Sequence, residues 1–89
     1  MSGEANAVII HPDDNVVTVT AEIPMNGTVV WRGGEIRACT PIPYGHKIAL
    51  RAIAAGESVT KYGQRIGLAA APIAAGEHVH THNLSKEDW

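Results

Sequence analysis

A single cysteine, Cys39, leaves the chain without any intramolecular disulfide. No Lys/Arg cluster is present either: seven basic against nine acidic side chains give a net charge of −2, so the electrostatic footprint of nucleic-acid binding is missing. The apolar runs fall far short of the roughly 18 to 20 residues that cross a bilayer. The opening residues Met1 to Asn6 lack the basic flank and apolar stretch of a secretory signal. These absences predict a cytoplasmic protein that engages neither nucleic acid nor membrane. They also make Cys39 a small buried or half-buried hydrophobe, since no histidine or helix start adjoins it to activate a thiolate. Hydrolase devices are missing too: there is no Gly-x-Ser-x-Gly elbow, no phosphate-cradling Gly-rich loop and no carboxylate pair set to split its pKa values.

What remains is 89 residues, enough for one domain with a modest core and little room for a closed cleft. A module or a subunit is therefore expected, spanning 1–89 with a core over about 8–84 and tails at 1–6 and 85–89. Short Val/Ile/Thr-rich segments separated by Gly, Pro or Asn predict strands at 7–10, 15–20, 28–31, 35–38, 46–51, 58–61, 65–69 and 78–82. The Ala-rich pieces near Leu50 and Leu68 are cut by Gly56, Pro72 and Gly76 to at most one-turn helical fragments. The fold class is all-β.

An internal repeat organises these strands. Ile53-Ala54-Ala55-Gly56-Glu57-Ser58-Val59 recurs as Ile73-Ala74-Ala75-Gly76-Glu77-His78-Val79. A looser copy is Ile42-Pro43-Tyr44-Gly45-His46-Lys47-Ile48, and Ile23 to Val30 reads as a fourth with one residue inserted before Gly27. Each copy is an apolar anchor, a glycine corner and a second anchor entering a strand. Glu57 and Glu77 follow equivalent glycines, which predicts a structural duty for both.

Histidine is the conspicuous chemistry-bearing type. His78, His80 and His82 alternate, and an unbroken strand over 78–82 would set all three on one face, opposite Val79. His80-Thr81-His82 is a workable metal chelate on such a strand, with His11 and His46 as further ligand candidates. The plain alternatives are solvated imidazoles for the closing run and a corner ring beside Ile48 for His46. For His11 the plain alternative is turn-ordering together with Asp13, Asp14 and Asn15. Lys47 and the pair Lys61-Tyr62 offer ammonium and phenol donors to an anion. Trp89, at the tail, is a candidate for docking on a partner.

Four ordered strings resemble a known family: His11-Pro12-Asp13-Asp14-Asn15-Val16, Ile42-Pro43-Tyr44-Gly45-His46-Lys47-Ile48-Ala49-Leu50, Val59-Thr60-Lys61-Tyr62-Gly63-Gln64-Arg65-Ile66-Gly67, and Gly76-Glu77-His78-Val79-His80-Thr81-His82-Asn83. They resemble the small N-terminal SAF-type domain of altronate/galactarate dehydratases, which can be a separate small subunit. The sulfolactate sulfo-lyase small subunit is similar. The resemblance implies a β-clip-like fold and a share in dehydrating a sugar acid. It also implies a divalent metal, iron or manganese, shared with a large catalytic subunit as partner, so that the chain alone is inactive. It implies catalytic roles for His46 and Lys47, substrate contacts for Lys61, Tyr62 and Asn83, and metal contacts for His80 and His82, and it leaves homo-oligomerisation open. Two other readings stand beside it: a free-standing carbohydrate- or metal-binding module without lyase activity, and a metal-storage or oligomerisation surface.

Overall fold

The computed structural model describes residues 5–85. Among them there is no helix, and nine short strands run antiparallel in three sheets: β1 (Ala7–Val8), β2 (Val16–Val19), β3 (Thr28–Trp31), β4 (Gly34–Arg37), β5 (Lys47–Ala49), β6 (Ser58–Lys61), β7 (Gln64–Ala69), β8 (His78–Val79) and β9 (Leu84–Ser85). The central sheet has the order β1-β2-β5-β8, flanked by the β3-β4 hairpin and by β6-β7-β9. The all-β expectation therefore holds. Trp89 lies outside the described residues.

Side chains alternate across a strand, and here both faces of the central sheet are covered. Val17, Val19 and Ile48 join one core with Ile23, Val29, Ala38 and Ile42, whereas Val16, Ala49 and Val79 join the other with Ile53, Val59, Ala69 and Ile73. Strand β2 thus reads Val-Val-Thr-Val, because it feeds apolar side chains to both sides and β-branched residues suit that pleated, buried setting.

The repeats are corners of one design. In each, a four-residue turn closes with a backbone hydrogen bond: Gly27 N–H to Pro24 C=O, His46 to Pro43, Glu57 to Ala54 and Glu77 to Ala74. The third residue of every turn is left-handed, at φ 67° for Asn26, 82° for Gly45, 82° for Gly56 and 84° for Gly76. Its N–H donates to the carbonyl of Ala38, Val19, Ala69 or Ala49 respectively, and that same residue's N–H donates back to the fourth turn residue. Asn26 therefore holds the place of the corner glycine, and no residue is inserted before Gly27, contrary to the sequence expectation. Asparagine tolerates the left-handed region because its short polar side chain can bond locally.

Ile23 then pairs with Ile42, and Ile53 with Ile73, as isolated bridges. The molecule is consequently two similar halves. Val29 and Gly33 correspond to Val59 and Gly63, and Asn6 serves β3 as Asn15 serves β6. Each asparagine accepts from one strand N–H (Val30 or Thr60) and donates to one C=O (Thr28 or Ser58).

Two expectations fail locally. Cys39 is exposed, because it follows buried Ala38 and so points outward, while its N–H donates to Gly76 C=O. The last predicted strand stops at Val79, and the chain turns through 80–83 before entering β9, which pairs with β7.

Candidate functional site

Proline decides where the first imidazole can stand. In the corners that begin with Ala54 and Ala74, the free N–H of that alanine is taken by the carboxylate Oε1 of Glu57 or Glu77 at 2.9 Å. That hydrogen bond, and after it Arg51, holds the Glu57 carboxyl below its usual range. Both glutamates therefore have the structural duty expected of them. In the corner that begins with Pro43 there is no N–H to satisfy, so the fourth position is released from that task. His46 occupies it.

Pairing of β5 with β8 brings the rest. Ile48 faces His78 and Lys47 faces Val79, so continuing the antiparallel register sets His46 opposite His80. His46, His78 and His80 thus share the face that Val17 and Ile48 bury further along, and they stand at its rim. The His46 and His80 rings stack with centroids 4.1 Å apart, and His46 Nδ1 lies 2.8 Å from His78 Nε2. One ring nitrogen of each of His46, His78 and His80 lies within 4.8 Å of the other two. His82 is exposed on the turn, its ring 5.2 Å from that of His78. The converging trio is therefore His46, His78 and His80, and His82 stands outside it. The strand that would have given His80 and His82 a common face ends before them.

Asn83 holds this arrangement. It is 4% exposed, its Oδ1 accepts the His80 N–H at 3.0 Å, and its Nδ2 donates to the His78 carbonyl at 2.8 Å. Together with the Asn83 N–H on the His80 carbonyl, these bonds close the turn. Asn83, expected as a substrate contact, positions the backbone that carries His78 and His80. Thr40 Oγ1 accepts the His78 N–H from the other side.

Burial, and after it neighbouring positive charge, disfavours protonation of His78 and His80. Burial, then the charges of His46, His82, His80 and Lys47, lowers the pKa of His78 to about 4. Desolvation, followed by His46, Lys47 and His82, lowers that of His80. Unprotonated imidazoles keep a lone pair for a cation, and three nitrogens on one side leave the remaining coordination positions open. A set of three imidazoles can hold a divalent transition metal. Lys47, half-buried on β5, adds a positive charge close enough to disfavour protonation of His78 and His80.

Lys61 and Tyr62 belong to another sheet. They sit at the tip of the β6-β7 hairpin, where Lys61 Nζ approaches the Tyr62 hydroxyl at 2.5 Å and lies 3.9 Å from the ring centroid. Tyr62 is left-handed, φ 59°, and Asp14 keeps it so: this 7%-exposed carboxylate accepts the N–H groups of His11, Tyr62 and Gly63. His11 orders its turn as expected, accepting the Asp13 N–H at Nδ1 and the Asp14 N–H at its carbonyl, with its ring against Gly63. The Asp14 clamp went unread in the sequence. Its signal was an acid directly before a strand in a chain with a Tyr-Gly turn that needs two positive φ values.

Comparison with known proteins agrees with this structure. The altronate dehydratase of Bacillus subtilis (strain 168) is 40% identical over 74 residues, 83% of this chain and 15% of that protein. The altronate dehydratase of Escherichia coli (strain K12) is 43% identical over 74 residues, with the same shares. The (2R)-sulfolactate sulfo-lyase subunit alpha of Paracoccus pantotrophus is 44% identical over 55 residues, 62% of this chain and 82% of that subunit. The chain thus spans about 15% of the length of the altronate dehydratases it matches. The model of the altronate/galactarate dehydratase SAF domain matches residues 5–87, and the chain belongs to that family.

Proposed function

We propose that this chain is the SAF-domain component of a hydroxy-acid lyase, a dehydratase of altronate, galactarate or a related sugar acid, completed by a larger catalytic polypeptide. The observation that carries the reading is the convergence of His46, His78 and His80, with ring nitrogens within 4.8 Å of one another. These residues would hold a divalent iron or manganese ion. Bound there, the ion would supply Lewis-acid stabilisation for charge developing on the substrate carboxylate and leaving hydroxyl.

The chain's own residues then have defined tasks. His78, unprotonated near neutral pH, serves as acceptor or ligand and not as an acid. Lys47 draws the carboxylate to the rim of the sheet by charge. His82, exposed on the turn, is open to contact with the substrate. Lys61 and Tyr62, presented on a clamped hairpin tip, are suited to contact the anionic acid if the larger polypeptide bridges the two sheets. Sulfolactate and altronate are both hydroxy carboxylates, so a sulfo-lyase subunit is the near variant of the same reading.

A free-standing metal-binding module is the second reading, favoured by the fact that the trio lies within one chain. Reconstitution separates them. The chain should restore water elimination from altronate or galactarate to a co-purifying larger polypeptide, and His46→Ala with His78→Ala should abolish that gain. Metal binding by the isolated chain with no lyase activity in any reconstitution would leave the module reading standing in its place.

A further inference from the structure

The two halves of the molecule provide an internal control for its surface. Both build the same paired corners, Ile23 bridged to Ile42 in one half and Ile53 to Ile73 in the other. Where the second half carries Ala54-Ala55 and Ala74-Ala75, the first carries Pro24-Met25 and Pro43-Tyr44. The backbone geometry is shared, so the larger side chains are not required by the turn. Met25 is 58% exposed and Tyr44 71% exposed. Beside them lies an open groove of about 420 Å³ lined by Glu22, Ile23, Pro24, Pro41, Ile42 and Pro43. Large apolar side chains are thus exposed here where the matching corners carry alanine.

We propose that this proline-walled corner docks the larger catalytic polypeptide, through an apolar segment of that chain with a Lys or Arg set against Glu22. The inference rests on the function proposed above and names the surface that joins the two parts. Two observations favour this occupant over a second copy. The matched altronate dehydratases are about 85% polypeptide outside the region shared with this chain, and the sulfo-lyase relative is named as a subunit, so a large companion surface exists in the relatives. The corner is also continuous with the imidazole site: Tyr44 is in the turn that delivers His46, and Ile23 and Ile42 belong to the core on the face that the imidazoles rim. Glu22 is the one charged lining residue, and it supplies the register for a basic group.

The test uses the full chain as bait in an extract of its source cells, with captured chains identified by mass spectrometry and quantified, and three bait proteins compared. The Met25→Ala/Tyr44→Ala variant alters only exposed side chains and should keep its unfolding midpoint and Co²⁺ binding. It should capture at least tenfold less of a larger lyase-like chain than the unaltered protein. The Ala55→Ser/Ala75→Ser variant, altered at the matching corners, should capture as much as the unaltered protein. Equal capture by the unaltered and Met25/Tyr44 baits would overturn the surface and leave the functional reading intact. Failure of the unaltered bait to capture any lyase-like chain would overturn both. Self-association in light scattering that the Met25/Tyr44 change abolishes, without such capture, would make a second copy the occupant.

Discussion

Replacing Asn83 by alanine tests the link between fold and site directly. The asparagine is buried, and its amide satisfies the His80 N–H at 3.0 Å and the His78 carbonyl at 2.8 Å. Truncation removes both bonds and leaves a backbone donor and acceptor in a half-buried turn. Each group left short of a partner costs about 1 kcal/mol where water can partly reach it, so the loss should be about 2 kcal/mol. For a domain of this size that corresponds to a melting point lower by about 8 to 16 °C. The same bonds fix the backbone that carries two of the three converging imidazoles, so divalent-metal affinity should fall by about 10- to 100-fold, the usual consequence of losing a group that orients ligands. Urea unfolding followed by circular dichroism, and calorimetric titration with Co²⁺, would measure the two effects. Asn83→Asp keeps the acceptor for His80 and should lie between the parent and the alanine variant. A variant within 0.5 kcal/mol of the parent, binding Co²⁺ equally well, would refute the positioning role.

Three further outcomes are expected. Gly56 and Gly76 share φ near +80°, yet a Cβ at Gly56 meets open space, while one at Gly76 would lie 2.4 Å from the Arg37 carbonyl oxygen. Gly56→Ala should therefore cost about 1 kcal/mol and Gly76→Ala at least about 2 kcal/mol more in urea unfolding; equal costs would refute the close approach. Asp14→Ala strips three backbone N–H groups of one carboxylate and should cost about 3 kcal/mol, with hydrogen exchange at Tyr62 and Gly63 speeding up first. In the metal-free chain, His78 titrates near 4 when folded and near 6.5 when unfolded, so the unfolded state binds more protons between those values and stability falls as pH drops through that window. With solvent screening at this half-buried ring, the loss from pH 7 to pH 4.5 should be about 1 to 2 kcal/mol. His78→Gln should flatten that dependence in chemical denaturation, and an unchanged slope would count against the assignment.

Much of the architecture was legible because it is local. Ile48, Val59 and Val79 were placed in the core as the second apolar anchors of the repeat, and each is fully buried. Glu57 and Glu77 were read as corner residues, and they bond to the N–H three residues back. The thirty-residue duplication was less visible, because Trp31-Arg32-Gly33-Gly34 and Lys61-Tyr62-Gly63-Gln64 share only a glycine between hairpin strands. The end of β8 was misjudged for a related reason. His80-Thr81-His82-Asn83 alternates like a strand, but the Asn83 amide offers the His80 N–H and the His78 carbonyl a closer partner than another strand would.

Sequence by itself determined that this is an all-β chain with four corners and an imidazole-rich closing segment, since glycine, proline and β-branched residues act on the backbone within a few positions of themselves. Tertiary structure alone decided which imidazoles meet. His46 joins His78 and His80 because β5 lies antiparallel to β8 in one register, and a shift of a single residue would turn each ring to the opposite face. That register is set by two cores packed against both sides of one sheet, a condition that exists only after the chain has folded.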